Sequence, residues 1–112
     1  MQIDLNKLTK YTKFIDGVEF EEQWEKVKEE FKEVKDEYCN FLEYGYKIMD
    51  GLGTDEQYEE NMKKLKGELL DLITASYNWL DLMNIKESDI NEHCQKLDTY
   101  LSKGGKYEDK NN

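Results

Sequence analysis

The stretch FEEQWEKVKEEFKEVKDEYCNF, residues 20–41, decides the fold class. Its apolar side chains recur at alternating steps of four and three residues: Phe20, Trp24, Val27, Phe31, Val34, Tyr38 and Phe41. This spacing is typical of a helix that packs against other helices. We therefore predict a helix from Glu19 to about Tyr44, followed by a loop that begins at Gly45.

The composition extends this prediction to the whole chain. Its 112 residues suffice for one domain, and they include no proline. With 38% charged residues and a net charge of −10, non-specific binding to nucleic acid is disfavoured. All 16 basic residues are lysines, so no guanidinium is present to grip a phosphate with two prongs.

Three further segments carry helix signals. They run from Asp4 to Ile15, from a capping box at Thr54 and Gln57 to about Met83, and from the N-cap Ser88 to Lys103. Asn84 closes the third helix, and Gly67 inside it indicates close approach of a neighbouring helix or a ligand. Together the segments predict an all-α, four-helix, bundle-like domain.

Neither a membrane span nor an export signal is predicted. The apolar stretches are far shorter than the ~20 residues that a membrane span needs. The segment from Met1 to Lys10 has no signal-peptide apolar core. We expect a cytoplasmic protein with no membrane partner, in which Cys39 and Cys94 are free thiols.

The acidic pattern E-E-x-x-E occurs twice, at residues 21–25 and 29–33. Helical geometry places the acidic residues of the first copy roughly opposite the apolar stripe, so we interpret that copy as a solvated face. In the second copy, Glu30 borders the stripe and Glu33 follows one turn later. The second copy is therefore predicted to face a groove between helices.

A second acidic pair, Glu68 and Asp71, lies in GELLDLITA on the third helix. Glu68 falls among apolar neighbours, where an unpaired carboxylate is costly and needs a cation, a proton or a partner such as Lys64. Acidic pairs on two antiparallel helices surround one space with four carboxylates, which suits Mg²⁺ or Mn²⁺. The chain has one histidine, His93, and no zinc-ligand spacing.

These motifs resemble those of MazG-like members of the all-α nucleoside triphosphate pyrophosphohydrolase superfamily. The matching segments are EEFKE at 29–33, ELLD at 68–71, KL at 96–97 and KG at 103–104. The resemblance covers about Phe20 to Gly105. It implies a single MazG-like domain over residues 1–104, an NTP pyrophosphatase fold assembled as an oligomer, and a short flexible tail at 105–112.

The resemblance also implies an activity and its residues. The expected reaction is Mg²⁺-dependent hydrolysis of a nucleoside triphosphate, ribo or deoxyribo, to the monophosphate and pyrophosphate. Glu30, Glu33, Glu68 and Asp71 would hold the metal, with Glu29 as a further ligand or as the base that positions water. Glu29 and Glu30 are thus the predicted catalytic residues.

Four residues outside the acidic motifs are predicted to bind substrate. Lys96 and Lys103 would reach the outer phosphates, although Lys103 equally suits the C-terminal end of a helix. Asn91 is a candidate base reader. Trp79 is a candidate for stacking on the base, although an aromatic residue at helical spacing is more often part of a core.

Two other interpretations stay open, one with a different nucleotide substrate and one with a protein partner in place of a substrate. The segment between the two acidic motifs is longer than usual for MazG-like proteins, so dUTPase-like and phosphoribosyl-ATP pyrophosphohydrolase activities of the same superfamily are alternatives. A non-catalytic helical interaction protein is the other alternative. Because the apolar arcs are too broad for one small bundle to cover, we also predict a homodimer or homotetramer.

Overall fold

The computed structural model describes residues 2–15 and 17–104, and these ranges contain helices and no strand. A 3₁₀ helix at Leu5–Ile15 is followed by three α-helices: α1, Phe20–Met49; α2, Asp55–Leu82; and α3, Glu87–Ser102. The prediction of an all-α chain with four helices is confirmed. None of the described helices has the length and apolar sequence that crossing a membrane requires. The predicted tail at 105–112 lies outside the described residues.

The N-terminal segment forms a 3₁₀ helix that contacts α2. Local side-chain bonds accompany the start of this tighter helix. The backbone N–H of Asn6 donates to Oδ1 of Asp4 at 2.9 Å, and the Thr9 hydroxyl donates to the backbone carbonyl of Asn6 at 2.7 Å. Bonds of this kind offer the backbone an alternative to α-helical pairing.

The prediction that α1 stops before Gly45 is wrong, because the helix continues to Met49. Gly45 lies inside the helix, where an added Cβ would be 3.9 Å from the ring of Tyr58 on α2. The glycine that ends α1 is Gly51, which has a left-handed φ of +75°. Its conformation lets the amide of Leu52 donate to the carbonyl of Lys47 at 2.7 Å.

α2 begins and ends close to its predicted positions. The backbone N–H of Gln57 donates to Oγ1 of Thr54 at 3.2 Å, and the backbone N–H of Thr54 donates to the side-chain Oε1 of Gln57 at 3.3 Å. The predicted capping box is therefore confirmed. The helix ends at Leu82, and Asn84 follows with a φ of 59°. The left-handed conformation, which asparagine tolerates, closes the helix.

α3 begins at Glu87, one residue before Ser88, so the prediction that Ser88 is the N-cap is wrong. The carboxylate of Asp89 accepts a hydrogen bond from the backbone amide of Lys86 at 3.0 Å, which makes Lys86 the N-cap. No residue of α3 is buried. Among the described helices, many close backbone contacts join α1 with α2 and α2 with the 3₁₀ helix, and few involve α3. α3 faces both elements across an open cavity of about 780 Å³, where Ile90 and His93 lie opposite Asn6 and Tyr77.

α1 and α2 form an antiparallel hairpin whose buried residues are mostly polar. Among the described residues the one buried apolar side chain is Ala75, 5% exposed. The buried polar residues are Gln23, Glu30, Asn61 and Asn78. Burying a polar group costs free energy unless it is paired, and the side-chain amides of Gln23 and Asn61 donate to backbone carbonyls, whereas Oε2 of Glu30 has no hydrogen-bond partner.

Candidate functional site

The register of the hairpin brings carboxylates from α1 and α2 together. The side-chain amide of Gln23 donates to the backbone carbonyl of Ala75 at 3.0 Å. Seven residues further along α1 and seven residues back along α2, Glu30 and Glu68 therefore lie side by side. One carboxylate oxygen from each of Glu30, Glu68 and Asp71 lies within 4.8 Å of the other two.

Glu30 is the most buried carboxylate of this cluster, at 7% exposed. Its Oε1 lies 2.8 Å from the Nζ of Lys26, and this hydrogen bond raises the pKa of the lysine. Its Oε2 and the Oε2 of Glu68 are buried without a hydrogen-bond partner. A buried unpaired acceptor costs about 1–3 kcal/mol, so both oxygens favour a cation or a proton.

Glu33 adds a fourth carboxylate at the exposed edge of the cluster. Hydrogen bonding to Glu30 and repulsion from the charge of Glu30, with smaller effects of desolvation and of Glu68, raise the pKa of Glu33 to about 7. Like charges this close disfavour full ionisation of the group. The metal-free cluster therefore holds more negative charge than its surroundings stabilise.

A cleft of about 500 Å³ opens beside Glu30 and Asp71. Its volume lies within the range typical of small-molecule sites. The described residues that line it are Val18, Glu22, Gln23, Lys26, Glu30, Asp71, Thr74, Ala75 and Asn78. Lys26 is the one cationic side chain in this lining.

The structure brings three of the four predicted metal ligands together, Glu30, Glu68 and Asp71, and the fourth, Glu33, interacts with Glu30 and Glu68 from the exposed edge. Glu29 lies outside the cleft lining. Glu29 is exposed, and its carboxylate is 3.9 Å from the Nζ of Lys26. Its predicted part in catalysis stays a prediction. Lys64, the alternative partner of Glu68, forms no ion pair with it among the described residues.

The predicted substrate-binding residues on α3 do not line the cleft. Asn91 and Lys96 are exposed on that helix, and Lys103 is exposed at its C-cap. The Nζ of Lys96 lies 5.9 Å from the centre of the Tyr100 ring. Contact between these residues and a substrate in the cleft stays a prediction.

Trp79, the predicted stacking residue, is part of an aromatic cluster between α1 and α2. Its ring stacks on that of Trp24 at 4.9 Å between centroids and is tilted against that of Phe20 at 5.6 Å. These contacts match the packing role that aromatic residues at helical spacing usually have. The indole N–H of Trp79 is buried without a hydrogen-bond partner.

Sequence reasoning missed two charged residues of the cleft. Lys26 lies four residues before Glu30, a spacing at which helical side chains pair, so this signal was present. Glu22 belongs to the first E-E-x-x-E copy, and it lines the cleft. Glu22 is exposed, as the solvated-face interpretation predicts, and it also borders the cleft. Eleven residues make just over three helical turns and place Glu22 on the same side of α1 as Glu33.

No protein-family model, curated protein or solved structure matches this chain. The likeness to MazG-like proteins is thus carried by the order and chemistry of the motifs alone.

Proposed function

We propose that this chain is a Mg²⁺-dependent nucleoside triphosphate pyrophosphohydrolase of the MazG-like type. The observation that carries the proposal is the approach of Glu30, Glu68 and Asp71 to within 4.8 Å of one another, beside a cleft that Glu30 and Asp71 line. Residues far apart in sequence supply this cluster, and the same residues form the acidic motifs of the resemblance. Their convergence supports a common role.

The donor set fits a hard divalent cation. All the candidate ligand atoms are carboxylate oxygens, which Mg²⁺ and Mn²⁺ prefer. The buried oxygens of Glu30 and Glu68 lack hydrogen-bond donors, and the pKa of Glu33 is raised to about 7. A cation in this place would compensate the unpaired acceptors and the carboxylate repulsion together.

The proposed chemistry follows from the charges that meet in the cleft. A triphosphate is strongly anionic and is repelled by a group of carboxylates. Glu30, Glu68 and Asp71 would hold divalent ions, with Glu33 at the exposed edge. Such ions would supply the neutralising charge and would activate water for hydrolysis of the triphosphate to the monophosphate and pyrophosphate.

Lys26 is the residue of this chain best placed to contact a phosphate in the cleft. Its Nζ reaches the buried end of the cluster at Glu30, and the side chain is half exposed. A lysine acts on phosphate as a compact point charge, without the bidentate geometry of arginine. Lys96 and Lys103 keep their proposed contacts with outer phosphates as secondary candidates.

A product assay tests the proposal. The purified chain is incubated with Mg²⁺ and a panel of ribo- and deoxyribonucleoside triphosphates, with pyrophosphate and orthophosphate detected separately. We expect pyrophosphate and a monophosphate. A strong preference for dUTP or for phosphoribosyl-ATP would favour the alternative activities of the superfamily, whereas orthophosphate as the main product contradicts pyrophosphohydrolysis.

A non-catalytic helical interaction protein is the second candidate, favoured by large apolar side chains that α1 exposes, such as Phe31 at 60% and Met49 at 82%. Thermal melts in millimolar Mg²⁺ or Mn²⁺ separate the two. A metal site raises the melting temperature by several degrees, because the ion binds the folded state selectively. We expect this gain to disappear in Glu30→Gln, and the second candidate predicts little gain in either protein.

A further inference from the structure

Lys26 pairs with a buried acid, which sets it apart from Lys28, its neighbour on α1. The side chain of Glu30 is 9% exposed, and its Oε1 lies 2.8 Å from the Nζ of Lys26. The Nζ of Lys28 lies 2.7 Å from Oε1 of Glu25, whose side chain is 68% exposed. An exposed pair contributes little to stability, whereas a buried carboxylate needs a cation beside it to stay ionised. The ammonium of Lys26 is therefore the counter-ion of the buried Glu30 carboxylate.

A single ammonium does not satisfy the carboxylate cluster. Oε2 of Glu30 and Oε2 of Glu68 are buried without a hydrogen-bond partner. The ion pairs that Lys26 forms with described residues are those with Glu30 and Glu29, so its charge reaches the acidic residues of α1 and not those of α2. One oxygen from each of Glu30, Glu68 and Asp71 lies within 4.8 Å of the other two. This donor set, drawn from both helices, suits a divalent cation better than a lysine, because such a cation carries twice the charge and takes several oxygen ligands.

Lys26 has a second partner outside the cluster. Its Nζ lies 3.9 Å from Oε2 of Glu29, whose side chain is 60% exposed. The lysine stem is long and flexible, so the ammonium can leave Glu30 and stay beside Glu29. Lys26 also lines the cleft of about 500 Å³. An ammonium released from Glu30 is therefore available to an anion that enters this cleft.

We propose that Lys26 acts as the resident cation of the metal-free carboxylate cluster, that it leaves Glu30 when a divalent cation binds, and that it then contacts a phosphate group in the cleft. This inference rests on the proposed metal site and adds a coupling to it. Lys26 competes with the divalent cation for Glu30, and the same exchange frees the ammonium for the anion. Binding of the cation and binding of the anion therefore strengthen each other, and the coupling is reciprocal.

Binding of Mn²⁺ to the metal-free chain tests the competition. Electron paramagnetic resonance measures the free Mn²⁺, and circular dichroism checks that each variant is folded. Lys26→Met removes the ammonium and keeps the length of the side chain, so Mn²⁺ should bind about ten-fold more tightly, the factor that corresponds to one charged hydrogen bond. Lys28→Met is the matched control, because it removes the same charge two residues away, and it should change the affinity little. Lys26→Arg keeps a cation beside Glu30 and should bind Mn²⁺ no more tightly than the natural chain.

Binding of inorganic pyrophosphate in saturating Mg²⁺, measured by calorimetry, tests the second step. Lys26→Met should bind pyrophosphate about ten-fold more weakly, and Lys28→Met should match the natural chain. A lysine that only stabilised α1 would not shift the two affinities in opposite directions. An unchanged pyrophosphate affinity in Lys26→Met overturns the contact with phosphate.

The Mn²⁺ titrations also separate this inference from the proposed function. Equal Mn²⁺ affinities in Lys26→Met and Lys28→Met overturn the competition and leave the metal site standing. An absence of Mn²⁺ binding in the natural chain and in every variant overturns the metal site, and the role of Lys26 with it.

Discussion

The buried side chain of Gln23 on α1 donates a hydrogen bond to the backbone carbonyl of Ala75 on α2, at 3.0 Å. Glu30 lies seven residues after Gln23, and Glu68 lies seven residues before Ala75. The bond therefore holds the register in which these carboxylates meet.

Gln23→Leu should lower the free energy of unfolding by about 1 kcal/mol, because it removes a buried hydrogen bond while keeping the volume of the side chain. Chemical denaturation followed by circular dichroism measures the change. Gln95→Leu, on the exposed surface of α3, is the control and should change stability little. Equal losses in both variants would mean that the Gln23 bond has no special part in holding the hairpin.

Glu68→Gln and Asp71→Asn should each abolish turnover and leave the helices folded, since the amides match the shape of the carboxylates and lack their charge. Without metal, the melting temperature should stay the same or rise, because repulsion among the carboxylates is relieved. Activity and thermal melts measure the two effects.

The matched control for these variants is Glu25→Gln. Glu25 is exposed and lies 2.7 Å from Lys28, outside the cleft. Glu22 is unsuitable as a control because it lines the cleft. A loss of activity in Glu25→Gln as large as in Glu68→Gln would contradict the assignment of the site.

The metal-free chain should lose stability as the pH rises from about 4.5 to about 7. The pKa of Glu33 is raised from 4.5 to about 7 by Glu30, so the folded chain keeps a proton that the unfolded chain releases in this window. The free energy of unfolding therefore falls with rising pH. Melts in buffers across the window, with a chelator, measure the slope.

Glu33→Gln should flatten this pH profile, whereas Glu25→Gln should leave it unchanged. Saturating Mg²⁺ should flatten it as well, since a cation favours the ionised carboxylate. A slope that survives in Glu33→Gln would assign the titration to another group.

Gly67→Ala should raise the free energy of unfolding by roughly 0.5–1 kcal/mol, because alanine is the better helix former at an exposed position. The expected close approach of a neighbouring helix at Gly67 is wrong, since an added Cβ would meet nothing within 4 Å, and the approach of a ligand there stays a prediction. Denaturant melts measure the gain. Gly51→Ala is the contrasting variant and should destabilise, because Gly51 has a φ of +75°.

Periodicity predicted the helices well and their contacts poorly. The four-and-three spacing identified α1, but the apolar side chains in this pattern form two adjacent rows along the helix. Only packing decides which row faces α2. Val27 and Val34 are half-buried, whereas Phe31 and Tyr38 are exposed. Because helical signals do not specify packing partners, those of α3 did not predict that it makes few close backbone contacts with α1 and α2.

The acidic site was more predictable than the helix contacts. The pairs Glu30 with Glu33 and Glu68 with Asp71 are local features of single helices, and an antiparallel hairpin brings two such pairs together. The place of Glu22 at the edge of the cleft was not predicted, because it depends on three accumulated turns of helix. Lys26 was missed because an i, i+4 pair is common on any charged helix.

α3 packs only sparsely against the other described helices. A helix of 16 residues with no buried side chain gains little from tertiary packing, and helices of that length are marginal in water on their own. Its backbone amides are therefore expected to exchange with solvent deuterium well before those in the middle of α1 and α2. We therefore expect two units of unequal cooperativity, with the terminal helix opening before the hairpin of α1 and α2.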